Sequence, residues 1–321
     1  MKISRISIRY SFSGKMYYRL GKAAPELITS VSRAGILQPL FVLEGEPVCI
    51  MDGMRRLQAA AENPEIKEAP VVFFPAEERF SAFVQALHLN ISSGLLSAVE
   101  KLRAVHTAHH QFGTAEVRQV AEILELQHFP HLDDLRKQVS EWPLWLQEYG
   151  HRIRLSLRVL EKLRQYPFSK YKQWLVLADR FNFKGAELLR MLEQLRDIQL
   201  REGPAPAEVW LNSGIDELLK SPLTAQQQVR QIKSMLEKFR LPILNRIEHL
   251  LQQQARVIQH HADSGIQLQW DKTLETPGIL LQVQLPDTDA VNKFVQDMQV
   301  PELRIQLKKF IEQMNHLPEE K

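Results

Sequence analysis

The chain has 321 residues, 44% of them hydrophobic and 25% charged, with a formal net charge of +3. That length and composition supply cores for two or three domains and exclude a disordered chain. No apolar run reaches the roughly 18 residues that a membrane helix needs, the start MKISRISIRY lacks a signal-peptide apolar region, and the single cysteine, Cys49, excludes an internal disulfide framework. A reduced, cytoplasmic setting is expected.

Up to about residue 92 strand-like and helix-like stretches alternate. Lys2 to Arg9 is β-compatible, and Pro25 to Ala34 predicts a helix with Pro in its first turn and Gly35 just past its end. Leu40 to Leu43 and Val48 to Met51 read as strands joined by Glu44-Gly45-Glu46-Pro47. A helix from Gly53 to Glu62, a strand from Val71 to Phe74 and a helix from about Ala76 to Leu89 follow. Cys49 falls in an apolar strand, where an inert thiol is expected.

A strand ending at Met51, then Asp52-Gly53 and a helix opening near Met54, points backbone N–H groups and the positive end of the helix dipole out of the sheet. Gly53 permits close approach of a phosphate, and Arg55 and Arg56 in the first turn can clamp it. Asp52 as an N-cap and two surface arginines describe the same residues equally well.

The stretch from Glu26 to Phe74 resembles the N-terminal domain of ParB-like partition proteins, the ParB/sulfiredoxin fold, and the likeness covers about residues 2 to 96. Gly35-Ile36-Leu37-Gln38-Pro39-Leu40 matches the family's G-L-L-Q-P-I motif. Gly53-Met54-Arg55-Arg56 with Ala59 and Ala60 matches G-E-R-R-x-x-A-A, in the right order and spacing. The resemblance implies a site for CTP with magnesium, in which the arginine turn holds the triphosphate and a later E-N-x-x-R segment supplies an Asn linked to the metal. Carried over, the phosphate or nucleotide residues are Gly53, Arg55, Arg56, Asn90 and Gln38. Met54, Leu89 and Ser93 stand where the family has Glu, Glu and Arg. Neither a thioether nor an alkyl chain offers a strong oxygen acceptor, so hydrolysis is expected to be impaired. The sulfiredoxin branch needs a nucleophilic cysteine in the turn, where this chain has Met54.

From Leu95 to about Ala262 the spacing is almost wholly helical, as in the stripe Leu155, Leu157, Val159, Leu160 and Leu163. Between His151 and Leu200 eleven Arg or Lys stand against five Asp or Glu, so the rest of the chain is net negative. The resemblance implies a helix-turn-helix here, its first helix opening at Thr114 as N-cap and carrying the apolar Val120-Ala121 pair. Glu125 stands where a Gly is usual, and the second helix, about Leu132 to Ser140, carries Asp133 and Asp134 near its start. The run from Pro143 to Gln165 also resembles the ParB-type helices. Candidate DNA contacts are Arg136, Lys137, Arg152, Arg154, Arg158 and Lys162, residues that also suit solvated helix faces. The histidine pairs His109-His110, His128 with His131, and His260-His261 lack the spacing of metal ligands, and Trp142 and Trp145 read as core anchors.

Gly203-Pro204-Ala205-Pro206 is a joint. Helices are expected from Ile215 to Lys220, Thr224 to Phe239 and Pro242 to about His261. An antiparallel pair, Ile266 to Trp270 with Ile279 to Leu285, and helices over Val291 to Met298 and Leu303 to Met314 close the chain. In the tail, Leu281, Val283 and Leu285 with Val291, Phe294, Val295 and Met298 form a small core or a dimer interface.

The fold class expected is therefore α+β, mostly α. Residues 1–96 form the ParB/sulfiredoxin-like domain, 97–203 a helix-turn-helix-like domain, 204–262 a helical connector or hairpin, and 263–321 a small α+β module. The resemblance implies a bacterial DNA-binding protein of plasmid or chromosome partition, or of regulation. Its implied partners are double-stranded DNA, a partition ATPase or other protein, and a second copy in a homodimer. The competing readings are a non-catalytic scaffold that has lost both binding functions and an enzyme, either a CTP hydrolase or a nuclease.

Overall fold

The computed structural model describes residues 3–8, 12–94, 96–201, 203–260, 266–271 and 278–315. The chain is α+β and mostly helical, and it divides into two compact units. The first holds residues 1–196 and 204–217, and the second holds 197–203 and everything from 218 onward.

The first unit begins with a five-stranded mixed sheet. Its strands are β1 (Ile3–Ser7), β2 (Phe12–Ser13), β3 (Leu40–Leu43), β4 (Val48–Asp52) and β5 (Glu68–Phe74), in the order β1-β5-β3-β4-β2. β3 runs parallel to β5 and antiparallel to β4. Period-two alternation gives the sheet two faces. Ala69 and Val71 of β5, with Val48 and Ile50 of β4, join one core, where α1 (Pro25–Ala34) contributes Val31 and α2 (Met54–Ala61) contributes Leu57, Ala59 and Ala60. Val72 and Phe74, with Met51, join the other, against Ala82, Phe83, Ala86 and Leu87 of α3 (Arg79–Ser92). Local chemistry sets these helix ends. Pro25 opens α1, and Gly35 closes it at φ 69°, donating its N–H to the Val31 carbonyl. Three elements differ from expectation: β2 has no sequence signature of its own, β5 begins at Glu68, three residues before Val71, and α3 is preceded by a 3₁₀ turn over Ala76–Glu78.

The core beneath α3 continues across residue 96, taking in Ala104, Val105 and Ala108 of α4 (Ala98–Gln111) and Val120 and Ala121 of α5 (Thr114–Ile123). The N-cap of α5 is Gly113 and not Thr114, which is the first helical residue. Then come α6 (Leu132–Glu141), α7 (Leu144–Arg152), α8 (Leu157–Leu163), α9 (Phe168–Arg180), α10 (Gly185–Leu200) and α11 (Pro206–Ser213). Trp142 is buried, and the Trp145 ring lies 6.1 Å from that of Phe168. Trp174 is fully buried, packs edge-on to Trp210 at 5.2 Å and donates its indole N–H to the Pro206 carbonyl at 2.9 Å. This fixes the start of α11 at Pro206, the last residue of the proline joint.

α12 (Ile215–Lys220) leads to the second unit's α13 (Ala225–Arg240) and α14 (Pro242–His260). The strands β6 (Gln267–Trp270) and β7 (Ile279–Gln282) pair antiparallel, and α15 (Thr288–Gln299) and α16 (Pro301–Asn315) follow. A small core unites Leu251, Ala255 and Ile258 of α14 with Leu268 of β6 and Leu303, Leu307 and Phe310 of α16. Leu281, Val283, Phe294 and Met298 pack against it, whereas Leu285, Val291 and Val295 are exposed. The expected helix end at His261 lies outside the described residues.

Three helices of the first unit end in the same way, on a non-glycine residue in the left-handed conformation: Glu125 (φ 59°), Arg154 (φ 52°) and Asn182 (φ 53°). In each case the next amide reaches back to a helix carbonyl, Leu126 to Ala121 at 2.8 Å, Leu155 to Gly150 at 3.0 Å and Phe183 to Ala178 at 2.9 Å. Glu125 therefore adopts the left-handed backbone that glycine takes at least cost. A left-handed L-residue costs about 1–2 kcal/mol, part of which glycine's extra chain entropy takes back. Glu125 is exposed, so Glu125→Gly is expected to stabilise the protein by about 0.5–1 kcal/mol. The check is a higher urea midpoint with an unchanged slope; an equal or lower midpoint refutes it.

Candidate functional site

The α2 turn opens onto a cleft of about 260 Å³ that gathers Gly53, Arg55, Arg56, Asn90 and Gln38, all five residues expected at a phosphate site. Tyr17, Arg19, Leu27, Asp52, Leu89 and Ser93 complete its lining. Gly53 is the N-cap of α2 at φ 101°, and a Cβ added there would lie 2.5 Å from a methyl carbon of Leu40. The turn therefore requires glycine twice over, for its backbone and for its packing. Asp52 is no helix cap, since no side-chain hydrogen bond caps α2.

Each guanidinium in the cleft has partners. Arg56 donates to Asp52 Oδ2 at 2.6 Å and to the carbonyls of Gln38 and Pro39 at 2.8 and 3.2 Å. Arg55 donates to the Leu20 carbonyl and reaches Glu100 Oε1 at 3.5 Å, although its Nε is buried without a partner. Arg19 is almost wholly buried and donates to Glu100 Oε1 at 2.9 Å and to Asn90 Oδ1. The Asn90 amide donates to Ala86 O at 2.8 Å, Tyr18 Oη at 3.1 Å and Asp52 Oδ1 at 3.2 Å. Burial raises the Tyr17 hydroxyl to about 12 against the opposing charges of Arg55 and Arg19, so it stays neutral at the cleft wall.

Behind the cleft lies Glu100, which has no solvent exposure. Its Oε1 also accepts the Leu20 amide at 3.0 Å, and its Oε2 accepts the Ser97 amide at 3.0 Å and the Ser97 hydroxyl at 3.2 Å. His151 Nδ1 lies 3.2 Å from Oε2 and 2.9 Å from Ser97 Oγ. Burial alone would raise the Glu100 pKa. The His151 and Ser97 hydrogen bonds, the Arg19 charge and the Leu20 amide overcome that and lower it from 4.5 to about 2.

Arg19, Glu100 and His151 were not singled out from the sequence. The one local signal was the Ser97-to-Glu100 spacing of a capping box, which the structure forms at the start of α4. Where the ParB-like pattern places a Glu, Met54 packs against the α1/α2 core, and Leu89 is partly exposed at the cleft edge.

The six residues singled out for DNA lie on three elements. On α6, Arg136 is held by Asp133 at 2.8 Å and Lys137 is exposed. Asp134 pairs with Arg164 at 2.7 Å, so both acids at the start of α6 are neutralised within the unit. At the end of α7, Arg152 pairs with Asp179 and lies over the Tyr149 ring, while Arg154 is exposed in its left-handed cap. On α8, Arg158 and Lys162 are exposed one turn apart. A wider cleft of about 750 Å³ between α4, α5 and the start of α6 has an apolar floor of Val105, Phe112, Val117 and Leu132, with charges of both signs at its rim. Among the described residues no three His, Cys, Asp or Glu side chains are placed to hold a metal ion, and no helix is long and apolar enough to cross a membrane.

No protein-family model matches this sequence, and no curated protein is significantly similar to it. The fold and the cleft therefore stand on their own geometry.

Glu100→Gln removes the charge and, whichever oxygen becomes the amide nitrogen, sets an NH₂ group against the three donors that this oxygen now accepts from. Glu100→Gln is expected to cost about 3–5 kcal/mol, measured by urea unfolding at neutral pH. Because the folded pKa is depressed, the stabilisation from this carboxylate is complete above about pH 4.5 and is lost as the pH falls towards 2. The gap between the two proteins should therefore narrow over that window. A gap that stays constant over that window would show that the fold does not lower the Glu100 pKa.

Proposed function

We propose that the protein is a ParB-like DNA-binding protein of plasmid or chromosome partition, or of regulation, with a CTP-type phosphate cleft impaired for hydrolysis. The observation that carries this reading is the convergence of Gly53, Arg55, Arg56, Asn90 and Gln38, scattered over some fifty residues, on one cleft. The pair α5 and α6 supports it, since the joining turn keeps a left-handed residue at Glu125 and the acids of α6 are paired with arginines. Impairment of hydrolysis follows from the side chains at 54 and 89, where no carboxylate is present to orient water or metal.

On this reading the exposed Arg154, Arg158, Lys162 and Lys137 contact the phosphate backbone, while Arg136 is engaged within α6 by Asp133 and Arg152 ties α7 to α9 through Asp179. Binding to random duplex DNA should then fall steeply with salt, because each phosphate contact releases counterions. The double substitution Arg158→Ala with Lys162→Ala should lower the slope of log affinity against log salt by about 2. Fluorescence anisotropy at several salt concentrations checks both. Undetectable binding at low ionic strength removes the DNA-binding reading, and an unchanged slope removes these two residues from the interface.

The second reading is a scaffold that has lost nucleotide and DNA binding. What favours it is that Arg19, Arg55 and Arg56 are all engaged by groups of the protein itself. It predicts neither salt-dependent DNA binding nor any rise in melting temperature with CTP.

A further inference from the structure

We propose that the cleft takes its phosphate-bearing ligand as a metal-free anion, with the Arg19 guanidinium in the place at Asn90 where a divalent cation would otherwise bind. The inference rests on the phosphate-site reading above and concerns how that site neutralises charge.

Magnesium requires near-octahedral oxygen coordination. The two side chains of the cleft best suited to a cation, Asp52 and Asn90, already have their oxygens engaged. Asp52 is its only carboxylate among the described residues, with Oδ2 held by Arg56 at 2.6 Å and Oδ1 by the Asn90 amide at 3.2 Å. The Asn90 amide is held against turning over: its nitrogen faces three acceptors, Ala86 O, Tyr18 Oη and Asp52 Oδ1, which share its two protons, so its oxygen faces the Arg19 guanidinium. A cation at that oxygen would have to displace Arg19, which is itself anchored on the buried Glu100 at 2.9 Å. Leu89 at the cleft edge supplies no further oxygen.

Charge points the same way. Arg19, Arg55 and Arg56 face Asp52 and, behind the cleft, Glu100. Three cations against two anions leave an excess positive charge, which attracts a multiply charged anion and repels a divalent cation. Guanidinium groups recognise phosphate oxygens through paired, charge-assisted hydrogen bonds and need no metal to do so. The volume of about 260 Å³ seats the phosphate end of a ligand, since pockets that enclose a whole drug-sized molecule run to about 300–1,000 Å³.

The test is the melting temperature of the full chain with CTP, and separately with inorganic pyrophosphate, in EDTA and in millimolar magnesium. The expected result is a rise in EDTA at least as large as that in magnesium, lost in Arg56→Ala. Leu89→Glu, at a partly exposed position, restores a carboxylate to the cleft edge without entering the core. It should reduce the rise in EDTA and recover part of it in magnesium. A rise in the wild-type chain that needs magnesium, or that magnesium enlarges, overturns the metal-free assignment and leaves the phosphate cleft intact. An EDTA rise unchanged by Leu89→Glu also overturns it, because the anion then sits elsewhere. No rise with either anion under either condition overturns the phosphate-site reading itself, and this inference with it.

Discussion

The carboxylate of Glu100 is the constraint on which the rest of the first unit depends. An ionised carboxylate without solvent exposure is tolerated only when its lone pairs are filled, and here the donors come from four separate stretches of chain. Arg19 and Leu20 approach from the segment after β2, Arg55 from the first turn of α2, Ser97 from the start of α4 itself, and His151 from the end of α7. The carboxylate also lies in the first turn of α4, where the helix dipole favours negative charge. One buried group thereby fixes the wall of the cleft, the entry to the helical region and the helix that precedes the basic turn at Arg154.

That arrangement gives the cleft arginines two roles that oppose one another. Arg55 and Arg56 are preorganised, with little side-chain entropy left to lose when a ligand arrives. They are also satisfied by protein oxygens, so a ligand gains only the difference between its own contacts and those it replaces. A phosphate carries more charge than a backbone carbonyl, and the carbonyls of Leu20, Gln38 and Pro39 are the partners most readily exchanged. Glu100 is the least readily exchanged, because leaving it unpaired would bury a bare charge. Any movement on ligand binding is therefore expected at Arg56 and the Gln38 loop before it reaches Arg19.

Much of the fold was legible in the sequence because its determinants are local. Pro25 and Gly35 bracket α1 by backbone chemistry alone, and the alternation of Val48, Ile50 and Met51 between two cores follows from period two. The cleft's membership was legible through motif order, since Gln38, Gly53, Arg55, Arg56 and Asn90 sit where the resemblance places them and the structure brings them together. The two-residue β2 was not, because two residues cannot display a period. Nor were Arg19 and His151, whose partner Glu100 lies 81 and 51 residues away, distances over which no pattern in the sequence links them. The start of α5 shifted by one residue because glycine and threonine both serve as N-caps, and the backbone alone decided between them.

The start of α6 shows how far charge composition can mislead. Asp133 and Asp134 at a helix N-terminus complement the dipole and so favour the helix, yet the same charges repel a nucleic-acid backbone. The fold reconciles the two by pairing Asp133 with Arg136 and Asp134 with Arg164, which follows α8. The Gln138 amide meets the Leu163 carbonyl at 3.3 Å beside the second pair, so α6 and the end of α8 are joined there. Arginines used in this way no longer add to a basic surface. The excess of basic residues between His151 and Leu200 is in part an internal matter: Arg152 is taken by Asp179 and Arg164 by Asp134 and Glu161. Exposed basic side chains remain at Arg154 and on one face of α8 at Arg158 and Lys162. On the proposed reading they carry the contact with DNA, and Arg154 does so from a left-handed cap whose backbone leaves its side chain outside the helix.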